Sequence, residues 1–122
     1  MLWPNHCVQG TAGAEFHKRL STDRADAIIR KGMNPAIDSY STFFENDRKT
    51  PTGLLGFLRE RDVTSLLLVG LATDFCVAFS ALDAAANGFD VKIRMDACRG
   101  LSNAGSMDVA IAELRKTGVQ FV

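Results

Sequence analysis

The feature that most restricts the fold of this chain is the apolar run Ser65–Leu71. A run that is apolar at successive positions is typical of a parallel strand covered on both faces. It is much too short for a membrane-spanning helix, which needs about 20 residues. We therefore predict a buried parallel strand here, and we expect no membrane partner.

Strand-like and helical segments alternate on either side of this run. Short apolar or alternating stretches predict three further strands, at 27–31, 91–95 and 119–122. A helix is expected to begin at Pro51, with Thr50 as its N-cap. Apolar positions and a following glycine predict two more helices, at 75–87 and 105–117. This alternation predicts a single α/β domain with a mainly parallel sheet.

Charge and cysteine content exclude several classes of function. The chain has 14 basic and 14 acidic residues, and this balance gives no electrostatic reason to bind nucleic acid or an anionic membrane. Its three cysteines lack the spacing of a disulfide framework. We interpret them as free thiols in a reducing compartment, which predicts a cytoplasmic protein.

Cys76 lies where a buried strand is predicted to turn into a helix. With Thr73 or Asp74 as the N-cap, Cys76 falls in the first helical turn. The free N–H groups and the dipole at that end of a helix favour a thiolate, and they are placed to bind an oxyanion. Cys76 is therefore a candidate nucleophile. The alternative is that it is a small buried residue at the start of a helix.

Lys31 ends the predicted strand 27–31, so it should lie at the same edge of the sheet as Cys76. A lysine at that edge would stabilise an anionic state of the thiol. The alternative is a solvated lysine that marks the end of a strand.

The first loop and the segment around Tyr40 hold the remaining candidates. His6 offers an imidazole nitrogen, yet no cluster at metal-ligand spacing accompanies it, so the pattern alone favours an ordinary loop histidine. The rings of Trp3 and Tyr40 would suit the walls of a site for a flat aromatic ligand. Their alternative role is packing within the domain.

Taken together, five parts of the chain resemble the nicotinamidases of the isochorismatase-like cysteine hydrolase family. In order, the matching segments are 3–11 with 13–17, 31–32, 38–41 with 43–46, 71–77 and 96–100. They cover essentially the whole chain. The resemblance implies a Rossmann-like three-layer α/β/α fold. It also implies hydrolysis of nicotinamide to nicotinate and ammonia through a cysteine thioester, a step of NAD salvage, with pyrazinamide as an alternative substrate.

The resemblance also assigns roles to individual residues. Cys76 would attack the amide carbon, and Lys31 would belong to the catalytic triad. The backbone N–H groups of Ala72 and Cys76 would form the oxyanion hole, next to a cis peptide bond between Leu71 and Ala72.

His6, Trp3 and Tyr40 receive roles in the same way. His6 would be one ligand of a divalent metal ion (zinc, iron or manganese) that binds the pyridine nitrogen of the substrate. Trp3 and Tyr40 would line the substrate pocket. Whether the chain forms a homo-oligomer stays open at this point.

The family's first strand, which carries a catalytic aspartate, has no counterpart here, because this chain begins at the histidine loop. We therefore expect residues 1–122 to form one isochorismatase-like domain that lacks its N-terminal strand or strands. Two alternatives remain: another cysteine amidase of the same superfamily, or a non-catalytic α/β fragment that needs a partner chain. The apolar residues Leu2 and Trp3 at the start of the chain favour the second alternative, since they need a surface to pack on.

Overall fold

The computed structural model describes residues 3–122, so the expectation about Leu2 lies outside the described residues. The strands are β1 (Ser65–Leu71), β2 (Asp90–Arg99) and β3 (Gln120–Phe121). The helices are α1 (Leu54–Arg59), α2 (Ala78–Ala86) and α3 (Ser106–Lys116), with a π-helical turn at Thr73–Val77 and 3₁₀ turns at Ala12–Ala14 and Asn103–Gly105. No helix in this part of the chain is long and apolar enough to cross a membrane.

The three strands form one parallel sheet in the order β1, β2, β3. Leu66 of β1 lies beside Val91 of β2, and Ile93 of β2 lies beside Phe121 of β3. The predicted strands at 65–71, 91–95 and 119–122 are therefore confirmed, and so is the α/β class with a parallel sheet. Each crossover between the strands contains a helix, as parallel pairing requires.

The prediction of a strand at 27–31 is wrong. These residues have no ladder partner and are not part of the sheet. Ile29 and Lys31 of this segment line a cavity of about 1000 Å³. Leu68 and Val69 of β1 line the same cavity. An apolar run shows that a segment suits a strand, but a strand also needs a neighbour for its backbone N–H and C=O groups.

The first helix begins later than predicted. Thr50 is not its N-cap, because both the N–H and the hydroxyl of Thr50 bond to the carboxylate of Asp47. Pro51 pairs with Phe44 in an isolated β-bridge instead of opening a helix. Helix α1 starts only after Gly53, which adopts a left-handed conformation with φ of 98°. The hydroxyl of Thr50 bonds within its own turn and is therefore not available to cap the helix.

The core lies on one face of the sheet. Val91 and Ile93 of β2 pack there with the fully buried Leu114 of α3 and with Ala81 of α2. β1 alternates, since its Leu66 and Leu68 contact this core. On the opposite face Leu67, Val69 and Leu71 are exposed, Leu71 to 71%. The prediction that β1 is covered on both faces is therefore wrong for the part of the chain that the structure describes.

Leu114→Ala should lower the free energy of unfolding by about 2–5 kcal/mol, because it leaves a cavity at a fully buried position. Val109→Ala on the same helix is the matched control. Val109 is 64% exposed, so the change should stay within about 0.5 kcal/mol. Urea unfolding of both variants measures the difference. Equal losses would contradict the placement of the core.

Candidate active site

The turn that follows β1 positions Cys76. The peptide bond between Leu71 and Ala72 is cis, as the resemblance implied. The carbonyl of Ala72 then accepts the N–H groups of Phe75 and Val77, both at 3.1 Å, which winds the π-helical turn. Cys76 lies within this turn, at the carboxyl end of β1, and is partly buried. Ligands of parallel sheets bind at this end of the strands.

Lys31 contacts the cysteine although its segment is not a strand. Its Nζ lies 3.6 Å from the Sγ of Cys76 and donates to the carbonyl of Ser39 at 2.7 Å. An ammonium group at this distance stabilises a thiolate more than a neutral thiol. The two residues are 45 positions apart, so their contact depends on the tertiary fold.

Asp74 does not cap the helix, which corrects the N-cap prediction, and Thr73 does not either. The N-cap is Ala72, with no side-chain hydrogen bond. The carboxylate of Asp74 instead accepts the N–H groups of Leu101 and Ser102, at 3.0 and 2.9 Å, and the hydroxyl of Ser106.

These bonds decide the ionisation of Asp74. Burial opposes its charged form and is the largest single influence, but the hydrogen bonds from Ser106, Leu101 and Ser102 together outweigh it. They hold the pKa of Asp74 below its ordinary value. A charged carboxylate therefore fastens the cysteine turn to the loop that precedes α3.

Ser80 ties the cysteine turn to a second loop. Its Oγ donates to the carbonyl of Cys76 at 2.6 Å and accepts the N–H of Thr42 at 2.9 Å. Ser80 is not among the site residues predicted from the sequence. Its position four residues after Cys76 was an available signal, because i and i+4 lie on one face of a helix. The pairing with Thr42 had no local signal.

Three aromatic rings, those of Trp3, Tyr40 and Phe75, line the cavity that contains Cys76, and Phe79 packs against Tyr40 outside it. The indole N–H of Trp3 donates to the hydroxyl of Tyr40 at 2.7 Å. The ring of Phe75 lies 5.0 Å from that of Trp3 and 5.6 Å from that of Tyr40, and Phe79 lies 5.1 Å from Tyr40. These separations are those of favourable aromatic pairs. Phe75 and Phe79 were missed, although their i, i+4 spacing beside Cys76 could have indicated them.

His6 is exposed, with its Nδ1 2.7 Å from the carbonyl of Pro4. With the proton assigned to Nδ1 as the donor of this bond, Nε2 carries the lone pair that a metal ion would use. Residues 3–122 contain no group of three or more histidine, cysteine or acidic side chains placed to hold a metal ion. His6 therefore fits a single ligand, and the described residues do not complete a site with it.

All six residues singled out by the sequence line the cavity of about 1000 Å³. They are Trp3, His6, Lys31, Tyr40, Ala72 and Cys76. A thiol, a lysine ammonium group and aromatic walls thus share one cavity, an arrangement that would suit the binding and cleavage of a flat carbonyl compound.

Residues 2–122 match the family model described as Isochorismatase domain. The chain belongs to the isochorismatase family. Among curated members it is 49% identical over 120 residues to the nicotinamidase of Acinetobacter baylyi, and this alignment covers 98% of the chain.

Two solved structures show the same fold in family members with a bound molecule or ion. PnC1 from L. infantum, in complex with nicotinate, superposes with a TM-score of 0.94 at 42% identity, covering 99% of this chain and 60% of that one. The pyrazinamidase of Pyrococcus horikoshii, in complex with zinc, superposes with a TM-score of 0.83 at 36% identity, covering 99% and 63%. The isochorismatase-family chain described here spans 56% of the length of the A. baylyi relative.

The Asp74 bonds predict a pH-dependent stability. Because the pKa of Asp74 is lowered in the folded protein, its contribution is fully present above the unfolded pKa of about 3.9 and is lost as the pH falls through the folded value. Asp74→Asn should therefore cost about 1–3 kcal/mol near neutral pH, and this cost should shrink in acid.

Urea unfolding at several pH values measures this dependence. Asp90→Asn is the control, since Asp90 is exposed and a surface change should stay within about 0.5 kcal/mol. A constant cost of Asp74→Asn from neutral pH into acid would contradict the assignment.

Proposed function

We propose that this chain carries the nucleophile of a nicotinamidase, which hydrolyses nicotinamide to nicotinate and ammonia. The observation that supports this most is the contact of Lys31 Nζ with Cys76 Sγ at 3.6 Å inside a cavity with aromatic walls. The nicotinamidase named among the relatives, at 49% identity, supports the same activity.

In the proposed reaction the thiolate of Cys76 attacks the amide carbon, and Lys31 stabilises the thiolate beforehand. The carbonyl oxygen becomes an oxyanion, to which the N–H groups of Ala72 and Cys76 donate. The C–N bond then breaks, and the nitrogen leaves as ammonia with the proton that the thiol gave up. Water attacks the resulting thioester: its hydroxyl joins the acyl carbon as the C–S bond breaks, and its remaining proton restores the thiol. The nicotinic acid so formed loses its carboxyl proton to solvent and leaves as nicotinate.

The aromatic walls support a flat heteroaromatic amide as substrate. Trp3, Tyr40 and Phe75 present rings beside the cysteine, and stacking favours a pyridine or pyrazine ring over an aliphatic N-carbamoyl group. This favours nicotinamide and pyrazinamide over the substrates of other cysteine amidases.

We further propose that His6 contributes one ligand to a divalent metal ion, be it zinc, iron or manganese. The zinc complex of the P. horikoshii pyrazinamidase supports such an ion in a relative, and the Nε2 of His6 is suited to bind it. When bound, the ion would hold the pyridine nitrogen of the substrate.

The biological setting is part of the same proposal. Nicotinamide hydrolysis serves NAD salvage. The three free cysteines, Cys7, Cys76 and Cys98, fit a reducing compartment and support a cytoplasmic location.

Ammonia release from nicotinamide, with added divalent metal, tests the activity. Cys76→Ala should lower the rate by about 1000-fold or more, because the nucleophile is removed. Val109→Ala is the control and should retain the rate, since Val109 is exposed on α3 and does not line the cavity.

Two results would contradict the proposal. One is an unchanged rate in Cys76→Ala. The other is no ammonia release by the unmodified chain even when the unmatched part of the A. baylyi relative is supplied as a co-expressed fragment.

Lys31→Ala should reduce kcat by about 100-fold with a smaller effect on KM, because the lysine keeps the Cys76 sulfur in its reactive thiolate form and does not hold the substrate. Steady-state kinetics with nicotinamide separate the two constants. Lys31→Arg keeps the positive charge and should lose less. An effect confined to KM would assign Lys31 to substrate binding instead.

A further inference from the structure

Glu45 is a buried acidic residue that the proposed reaction does not use. The residue as a whole is only 7% exposed. One carboxylate oxygen, Oε1, accepts the N–H of Gly32 at 3.0 Å. The other, Oε2, is buried and has no hydrogen-bond partner among the described residues.

Stability alone does not account for a glutamate at this position. A buried acceptor without a partner costs free energy, and the cost is larger for a charged group. One hydrogen bond to Gly32 offsets only part of that cost. Local arrangements that are unfavourable in this way concentrate at functional sites.

The backbone of Glu45 is firmly held. Its N–H bonds to the carbonyl of Thr50 at 2.9 Å, and the preceding Phe44 pairs with Pro51. Two residues before it, Phe43 is 1% exposed and lies in the core. Glu45 therefore projects from a segment that packing and hydrogen bonds fix in place.

Gly32, whose N–H bonds to Glu45, is the residue immediately after Lys31 in the sequence. Residues 27–31 have no strand partner to hold them, and Gly32 adopts the left-handed conformation, with φ of 65°. The bond to Glu45 fixes the backbone at this point, while the carbonyl of Ser39 holds Nζ at the other end of the lysine. Together the two bonds define the path of the side chain to Cys76.

We propose that Glu45 is a positioning residue, which holds the backbone beside Lys31 so that the ammonium group stays against the Cys76 thiol. The inference rests on the proposed roles of Cys76 and Lys31. It assigns Glu45 no contact with the substrate.

The test measures the thiol itself instead of amide hydrolysis. Purified chain is alkylated with iodoacetamide at about pH 7 and about pH 9.5, on either side of the ordinary thiol value. Peptide mass spectrometry gives the rate at Cys76 alone. The variants are Glu45→Ala, Glu45→Gln and Lys31→Ala. Glu113→Ala is the control: Glu113 is also a glutamate, but it is exposed, pairs with Lys116 and lies on α3.

Lys31→Ala should slow alkylation at the lower pH by about tenfold, the effect of removing a neighbouring opposite charge. Glu45→Ala should slow it by roughly three- to tenfold for the same reason. Both differences should shrink at the higher pH, where the thiol ionises without help. Glu45→Gln keeps an oxygen for Gly32 and should resemble the unmodified chain, as should Glu113→Ala.

Each other outcome overturns the inference. Unmodified reactivity in Glu45→Ala would show that Lys31 needs no such support. Equal slowing in Glu45→Gln would make the charge, and not the hydrogen bond, the cause. Slowing at both pH values would indicate reduced access to the thiol and not a change in its ionisation. Slowing in Glu113→Ala as well would show that the effect is not specific to Glu45. Since alkylation requires no amide, failure to hydrolyse nicotinamide would count against the proposed function and leave this result standing.

Discussion

The close packing of α2 against the sheet is the contact on which the rest of the structure depends. Ala78, Ala81 and Ala84 are each no more than 2% exposed, so the helix meets its neighbours through methyl groups. Small side chains let a helix and a sheet approach closely, and interiors at this density resist displacement. Because α2 continues directly from the π-helical turn, this packing also fixes the position of Cys76.

Around this fixed point, three side chains bring distant loops to the cysteine. Asp74 binds the loop before α3, Ser80 binds Thr42, and Glu45 binds Gly32. Each bond joins a side chain to a backbone N–H group. A backbone donor cannot rotate away as a side chain can, so such bonds hold loops that have no ladder of their own. The cavity is shaped by these bonds as much as by the aromatic rings.

The sequence predicted those parts of the structure that depend on local pattern. The strands beside the core and α3 lie where they were expected. The cis peptide between Leu71 and Ala72 was expected from the family resemblance alone, since no local pattern specifies it. The errors at 27–31 and Thr50 share a cause, because each depended on a partner that local periodicity does not specify. A strand needs a neighbour, and a cap needs a free hydroxyl.

The candidate site shows the same division. Cys76, Lys31 and His6 were recognised from motifs. Ser80 and Glu45 were not, since their role follows from contacts with Thr42 and Gly32 across the fold. Lys31 was placed beside Cys76 because it was expected to end a strand. Lys31 does lie beside Cys76, but its segment is not a strand of the sheet.

Because one face of β1 is exposed, the free energy of unfolding of this chain depends on what binds to that face. The apolar side chains of Leu67, Val69 and Leu71 are in contact with water. Burying them would stabilise the folded state by about 25 cal/mol for each square ångström of apolar surface removed from water. Whatever covers those side chains binds the folded form and not the unfolded one, so it raises the unfolding free energy with its own concentration. The melting temperature of this chain therefore depends on the concentration of any molecule that binds this face of β1.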